Sequence, residues 1–206
     1  MKLWKIILVA LLFTSCSNEE INAQSVPNYR AEVIIENQVF KVWYNEVFEQ
    51  PMKLVYTSKN RPKGVDRGSM NFYTEKEVHT SDNKDYYRNI YDKGHLAPAA
   101  TYSDNIENLK QTFSFLNCAL QDQYLNRGEW RLLEEQERKW DDTENLTVTV
   151  ELVFEPEHKI LPTGGHIPDV MVKHVYFETS KNWKCFSFPN VRPEKGWEEH
   201  EVKHTH

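Results

Sequence analysis

The sequence of 206 residues has no excess of basic residues, no long hydrophobic segment and no internal repeat. Its formal net charge of −6 argues against a basic protein that coats nucleic acid. The longest apolar run, Ile6–Phe13, is too short to cross a bilayer as a helix, which excludes a polytopic membrane protein. No segment recurs at a period of about 20–50 residues, so a repeat array is excluded as well.

Cysteine is scarce, whereas aromatic residues are abundant. The chain has three cysteines, and two of them, Cys118 and Cys185, lie in the body of the sequence. A disulfide and a pair of buried free thiols are both open, and we favour free thiols. Six Trp, ten Tyr and ten Phe are enough to bury a core, so disorder throughout is excluded. The length predicts one domain with tails.

The first sixteen residues have the layout of an export signal. Lys2 and Lys5 precede the apolar run, and two small residues then precede Cys16. This order resembles the lipobox of bacterial lipoproteins, which implies removal of residues 1–15 and lipidation of Cys16. The alternative is an ordinary signal peptide with an incidental cysteine. Removal of the two lysines would leave a net charge of −8.

The rest of the chain divides by composition. Residues 16–30 are polar and predict a flexible tether, residues 31–192 form the domain, and residues 193–206 form a charged tail that we expect to fray. The protein is therefore expected to be exported and anchored by lipid to a bacterial membrane, with the outer membrane or cell surface as candidates. Adventitious rather than specific metal binding is expected of three histidines, His200, His204 and His206.

Hydrophobic patterns predict an α+β domain with a central antiparallel sheet. Helices are predicted over 103–112, with Ser103 as N-cap, and over 126–140, where Glu134 and Arg138 form an i,i+4 pair. Residues 71–90 look irregular. Mixed β-branched and aromatic residues predict strands at 31–36, 39–44, 52–58, 113–119, 146–154, 170–177 and 183–188.

Two polar residues outside these patterns can carry chemistry. His95 lies in Asp92-Lys93-Gly94-His95-Leu96-Ala97-Pro98-Ala99-Ala100, and a neutral imidazole can act as general base near pH 7. Asn126 opens the predicted helix 126–140 and offers an uncharged oxygen to a hard cation such as Mg²⁺. Glu134, about 12 Å further along the helix, can reach back toward Asn126. Taken singly, His95 is more often structural and Asn126 more often an N-cap.

Taken together, these segments resemble a family. DKGHLAPAA, a strand with Asn-x-x-x-Gln, then NRGEW and W-x-x-L-E-x-x-x-R keep the order seen in the DNA/RNA non-specific endonucleases of the His-Me finger (ββα-metal) superfamily. The resemblance runs from about residue 36 to 192. It implies an antiparallel sheet flanked by helices, with a ββα-metal active-site motif. Three departures, at Lys93, Leu120 and Val150–Phe154, remove no residue of the implied site.

The resemblance implies a role for each site residue. His95 is the general base, and Asn126 is the direct ligand of Mg²⁺, with Mn²⁺ or another divalent cation also open. Glu134 holds a metal-bound water, and Arg138 pairs with Glu134 or contacts phosphate. Asn117 positions His95 or the substrate. These roles imply hydrolysis of DNA and RNA to 5′-phosphate and 3′-hydroxyl ends.

The family also uses an arginine upstream of the DKGH-type motif. Arg67, before Asn71-Phe72, is the best match, and Arg61 is the second choice. Both belong to the basic loop 59–69, which either grips phosphate or is simply solvated. Two other function classes stay open: a catalytically silent binding lipoprotein of the same fold, and a phosphodiesterase acting on small substrates. The intact set of His95, Asn126 and Glu134 favours the nuclease.

Overall fold

The computed structural model describes residues 28–203. The predicted signal, Cys16, most of the tether, His204 and His206 therefore lie outside the described residues. Arg30, which the composition assigns to the tether, contacts the domain instead. Its guanidinium donates hydrogen bonds of 2.6 and 2.9 Å to the Glu46 carboxylate.

The strands of the described chain form one large antiparallel sheet and one two-stranded sheet, as the alternating pattern predicts for most of them. The large sheet has the order β1-β2-β3-β6-β7-β8-β9, and β4 pairs with β5. The strands are β1 (Val33–Glu36), β2 (Phe40–Asn45), β3 (Gln50–Ser58), β4 (Tyr91–His95), β5 (Cys118–Asp122), β6 (Leu146–Val153), β7 (Val170–Phe177), β8 (Trp183–Pro189) and β9 (Glu201–Val202).

The core lies on one face of the large sheet. Alternate residues of each long strand are buried, and their neighbours stay partly exposed, because successive side chains of a strand point to opposite faces. The buried side chains of β2, β3, β6, β7 and β8 form one cluster with residues of the helices and of the β4–β5 hairpin. That packing fixes the hairpin against the sheet.

The described chain contains few helices. Asn105, and not Ser103, caps the first of them, because its backbone is extended and its side chain accepts a hydrogen bond of 2.8 Å from the Asn108 amide. The helices are α1 (Ile106–Thr112), α2 (Gln123–Leu125) and α3 (Arg131–Trp140), with a π-helical turn at Asn126–Trp130 and 3₁₀ turns at Ala99–Tyr102, Phe115–Asn117 and Trp197–His200.

The hairpin of β4 and β5 differs from the sequence prediction in two ways. The motif around His95, which is not among the predicted strands, contributes to strand β4. The predicted strand 113–119 is a 3₁₀ turn at Phe115–Asn117, and the strand itself begins at Cys118. Ser114 explains the shift, because its hydroxyl accepts a hydrogen bond of 3.2 Å from the Leu116 amide and caps the turn.

The C-terminal segment is ordered against the sheet, so the expected fraying is wrong as far as residue 203. Trp197 packs against Trp140 and Phe186, with ring centroids 6.1 and 5.8 Å apart. β9 pairs with β8. His200 is buried and stacks on Phe188 at 4.3 Å, and its Nδ1 lies 3.1 Å from the Ser187 carbonyl oxygen. His200 therefore has a structural environment.

Cys118 and Cys185 are both buried free thiols, in agreement with the favoured reading of the sequence. Burial raises the pKa of Cys118 to about 12, so this thiol stays protonated at neutral pH. None of the helices found within residues 28–203 has the length and apolar character needed to span a bilayer.

Candidate active site

Three of the predicted site residues meet in one open cavity. The cavity has a volume of about 510 Å³ and is bounded by β4, the segment 67–72 and the start of the π-helical turn. We call it the His95 cavity. It is lined by Arg67, Met70, Asn71, Phe72, Tyr86, Tyr91, Asp92, Lys93, His95, Phe113 and Asn126.

His95 ends β4 with its ring between two aromatic side chains. The ring centroids of Phe72 and Phe113 are 4.8 and 5.0 Å from that of the imidazole. Burial and, to a smaller extent, the positive charge of Arg67 lower the pKa of His95 to about 4. Its Nε2 is buried and has no hydrogen-bond partner among the described residues. The imidazole is therefore neutral at physiological pH and can accept a proton.

Close backbone packing holds this histidine in place. A Cβ atom on Gly94 would lie 2.6 Å from Cβ of Gln121, so only glycine fits beside His95. The fully buried side chain of Asn117 bonds the segment that follows. Its Oδ1 accepts from the Ala97 amide at 2.7 Å, and its Nδ2 donates to the carbonyl oxygens of Ala97 and Thr112 at 2.9 and 2.8 Å. Asn117 itself lies outside the lining of the cavity.

The two candidate arginines occupy different places. Arg67 is exposed, lines the cavity and has its guanidinium 5.4 Å from the ring of Phe113. Arg61 instead stacks on Tyr102 at 4.7 Å and donates to the Thr57 carbonyl oxygen at 3.4 Å. Of the basic loop, only Arg67 belongs to the lining of the His95 cavity. The structure thus places Arg67, rather than Arg61, beside His95.

Asn126 is oriented by an aspartate that sequence reasoning left without a role. Its Nδ2 donates to Oδ2 of Asp92 at 2.9 Å. Asp92 also accepts two hydrogen bonds from Arg127, at 2.7 and 2.6 Å. Because the amide nitrogen is engaged, the amide oxygen is the group of Asn126 that can accept or ligate. In the sequence, the only signal for this contact was that Asp92 and Asn126 each belong to a motif, DKGH and NRG. The two residues are 34 positions apart in the chain.

The donor set suits a hard cation with few protein ligands. Among residues 28–203, no three or more His, Cys, Asp or Glu side chains are grouped to hold a metal ion. Mg²⁺ usually keeps several waters and takes only one or two protein oxygens. One amide oxygen, with the Asp92 carboxylate beside it, fits that pattern. It does not fit zinc, which takes three or four nitrogen or sulfur ligands.

Glu134 and Arg138 lie on α3, outside the residues that line the cavity. Burial raises the pKa of Glu134 to about 7, against the opposing effect of Lys173, while Glu137 raises it and Arg138 lowers it. The expected i,i+4 ion pair is absent from the described chain, and Nη1 of Arg138 is buried without a hydrogen-bond partner there. The structure therefore places both residues with the core side of α3.

Lys93 is a cavity residue whose environment the sequence did not reveal. Its ammonium lies 5.6 Å from the rings of Phe72 and Phe115 and 5.8 Å from the ring of Tyr86. It also donates a hydrogen bond to the side-chain oxygen of Asn83. The aromatic rings fix the cation at the cavity wall. Lys93 and Arg67 together give the cavity two positive charges beside a neutral base.

The fold and the cavity together indicate a class of protein. A mixed α/β domain presents a neutral histidine, two cations and an amide oxygen in one open cavity, which are the components of a site that hydrolyses phosphodiesters. The sequence model of the DNA/RNA non-specific endonuclease family matches residues 17–205. The chain belongs to that family, which confirms the resemblance seen in its motifs.

Two relatives agree with this assignment. The mitochondrial endonuclease G of Bos taurus is 33% identical over 104 residues, which cover 47% of this chain and 35% of the bovine protein. The match thus spans about a third of the length of that relative. One chain of a crystal structure superposes on this protein with a TM-score of 0.74. That structure is of the EndoG/EndoGI complex and concerns the mechanism of EndoG inhibition. It is 20% identical, and the match covers 82% of this chain and 80% of that one, which shows a shared fold.

Proposed function

We propose that this protein is a metal-dependent, sequence-nonspecific endonuclease that hydrolyses DNA and RNA. The observation that carries the proposal is the His95 cavity, which brings a neutral imidazole, the guanidinium of Arg67 and the amide oxygen of Asn126 together. Family membership supports a nuclease in general. The open cavity on the protein surface suits a polymeric substrate that enters from the side.

The chemistry follows from the side chains. His95 accepts the proton of a water that attacks the phosphorus, and Arg67 and Lys93 stabilise the negative charge that develops on the phosphoryl oxygens. The bond between phosphorus and the 3′ oxygen breaks, and the departing oxygen takes up a proton, which leaves 5′-phosphate and 3′-hydroxyl ends. A divalent cation held by Asn126, Mg²⁺ or Mn²⁺, would supply Lewis-acid stabilisation when bound. Asp92 keeps the oxygen of Asn126 free for that contact.

The remaining site residues are assigned supporting roles in this proposal. Asn117 holds the backbone after His95, and Glu134 and Arg138 act from α3 on the surroundings of Asn126. The β4–β5 hairpin with the helical segment that begins at Asn126 is proposed to be the ββα-metal motif. Each of these roles acts through His95 or Asn126 rather than directly on the substrate.

The proposed location follows from the first residues of the sequence. Lipidation of Cys16 would anchor the exported domain to a bacterial membrane, with residues 17–27 as spacer. Fractionation of cells expressing the wild-type protein and Cys16→Ser checks this. A variant that stays with the membrane fraction would contradict the anchor.

A cleavage assay tests the base and the metal ligand. The domain from residue 25 is incubated with plasmid DNA and with RNA, in Mg²⁺ or in EDTA. We expect His95→Ala to lose at least about 100-fold in rate, because general-base catalysis contributes about that much or more. Asn126→Ala should lose its Mg²⁺-dependent activity. His174→Ala, on β7, is the matched control and should cleave like the wild type.

Two outcomes would contradict the proposal. Full activity of a folded His95→Ala variant would remove the base assignment, and unchanged Mg²⁺ dependence of Asn126→Ala would show that another residue binds the metal. If the folded wild type cleaves neither polymer with any divalent metal, the silent binding protein of the same fold becomes the better description.

A further inference from the structure

A tyrosine and an arginine form an exposed stack on the surface beside α2. The guanidinium carbon of Arg192 lies 4.4 Å from the ring centroid of Tyr124. Nevertheless, 50% of the Tyr124 surface remains exposed to solvent. Tyrosine rings are common at binding interfaces, and aromatic side chains are the surfaces on which nucleic-acid bases stack.

The stack is held rigidly from below. Asn190, two residues before Arg192, is buried, and its Nδ2 donates to the carbonyl oxygens of Leu120 and Pro168 at 2.9 Å each. Its Oδ1 accepts from the Asp122 amide at 2.8 Å. These bonds connect the segment after β8 to the end of β5, two residues before Tyr124. The backbone that leads to Arg192 is therefore anchored beside the segment that carries Tyr124.

The stack adjoins the His95 cavity. Asp122 caps α2, with its Oδ1 accepting from the Tyr124 amide at 2.8 Å, and it pairs with Tyr91 of the cavity lining. Asn126 follows Tyr124 by two residues. A nucleotide strand whose phosphate sits in the cavity can therefore reach the stack with a neighbouring base.

The charge of the stack is available to a partner. Within residues 28–203, Arg192 makes no ion pair and its side chain is exposed. Arg127, by contrast, is paired with Asp92 at 2.6 Å. An unpaired arginine on an exposed ring favours an anionic, aromatic ligand.

We propose that Tyr124 and Arg192 form a base-stacking subsite for a nucleotide next to the cleaved phosphate. The ring and the guanidinium present flat surfaces to a base, and the charge attracts the adjacent phosphate. Because a base must leave the duplex to stack there, the subsite selects single-stranded DNA or RNA, or unpaired segments. This inference rests on the proposed nuclease function and names the substrate form that the same site prefers.

Binding to an inactive variant tests the subsite. A labelled single strand of about 12 nucleotides is titrated by fluorescence anisotropy against His95→Ala in Mg²⁺, with its blunt duplex in parallel. We expect Tyr124→Ala in this background to weaken binding of the single strand about tenfold, since base stacking contributes about 5- to 100-fold in affinity. The duplex should bind more weakly than the single strand and change little.

Two further variants separate stacking from structure. Tyr124→Trp should restore tight binding, because it keeps a flat aromatic surface, whereas a structural role of the tyrosine would not be rescued. Tyr87→Ala is the matched control. Tyr87 is 66% exposed and also carries an arginine, Arg88, at 4.9 Å, but it lines a different hollow with Leu161 and Pro162.

The outcomes distinguish this inference from the proposed function. Equal binding by Tyr124→Ala, failure of Tyr124→Trp to rescue, or an equal loss in Tyr87→Ala would overturn the subsite. Absence of any binding by the His95→Ala protein would overturn it too. If the wild type cleaves neither polymer while binding still depends on Tyr124, the subsite stands and the hydrolytic function falls.

Discussion

At the scale of the residue, the character of His95 is set by its surroundings. Two aromatic rings and the backbone around Gly94 remove water from the imidazole, and Arg67 adds a positive charge nearby. Both effects disfavour the protonated ring, and burial is the larger of the two. The same arginine that would stabilise the transition state thus also keeps the base deprotonated. The proton affinity of His95 is therefore set by its environment as well as by the identity of the residue.

The pH dependence of kcat/KM follows from this environment. For the free wild-type enzyme we expect activity to fall on the acid side with a midpoint near the His95 pKa of about 4, because only the neutral imidazole accepts a proton. Arg67→Gln should move this midpoint upward, though not as far as the ordinary value of 6.5, since burial remains. The readout is the midpoint in a series of buffers, because the rate itself will also drop.

Arg61→Gln is the control for that profile. Arg61 lies over Tyr102 and away from the cavity lining, so its removal should leave the acid midpoint unchanged. A wild-type midpoint near 6.5, or a downward shift in Arg67→Gln, would contradict the assigned environment of His95.

At the scale of the element, α3 packs on the sheet through charges as well as apolar side chains. Leu133 and Trp130 are buried, as the apolar pattern predicts. Beside them, Lys173 of β7 and Glu137 of α3 form an ion pair of 2.6 Å in which both side chains are fully buried. Tyr56 donates to the same carboxylate at 2.5 Å, and the ammonium lies 4.2 Å from the Trp130 ring. The helix register on the sheet is thereby fixed by directional contacts.

Breaking this pair should be costly. Lys173→Met leaves Glu137 buried without its counter-charge, and we expect a loss of about 3–5 kcal/mol in the free energy of unfolding. Chemical denaturation followed by circular dichroism measures it. The double variant with Glu137→Leu should recover much of the loss, because neither charge then remains buried.

A surface pair provides the comparison for Lys173. Lys53 and Glu151 lie 3.1 Å apart with both side chains about two-fifths exposed, and Lys53→Met should cost less than about 1 kcal/mol. Equal losses for Lys53→Met and Lys173→Met would show that the buried pair has no special weight.

At the scale of the whole molecule, the C-terminal segment closes one edge of the large sheet. β9 covers β8, and Trp197 fills a position between Trp140 and Phe186. The Trp197 amide also donates to Glu129 at 2.8 Å, in the π-helical turn that carries Asn126. The segment therefore connects the far edge of the sheet to the helix of the candidate active site.

Removal of the Trp197 side chain tests that closure. We expect Trp197→Ala to lower the free energy of unfolding by about 2–4 kcal/mol, since removal of a large aromatic side chain leaves a cavity between two rings. The midpoint temperature of thermal unfolding should fall accordingly. Trp183→Ala, at a site 41% exposed, should cost clearly less. An unchanged free energy of unfolding in Trp197→Ala would mean that the segment after residue 192 contributes little to stability.

Local patterns in the sequence predicted much of this protein. Alternation of apolar residues placed β2, β3, β6, β7 and β8 nearly at their observed limits, because the period of a strand is written in neighbouring side chains. The helix from Asn126 was predicted from its helical pattern, and the motif around His95 was recognised by its polar residues outside these patterns. Family membership followed from the order of those motifs, and the comparison confirmed it.

Tertiary structure decided what depends on contacts between distant residues. The bond from Asn126 to Asp92, the choice of Arg67 over Arg61 and the ordered C-terminal segment all join parts of the chain that are far apart in sequence. Lys173, a charged residue within a predicted strand, is turned inward against Glu137 by the register of β7. The sequence alone determined most of the strands and helices and the side chains available for chemistry, because both are local properties. Folding decided which groups meet, because burial and pairing are properties of the packed molecule.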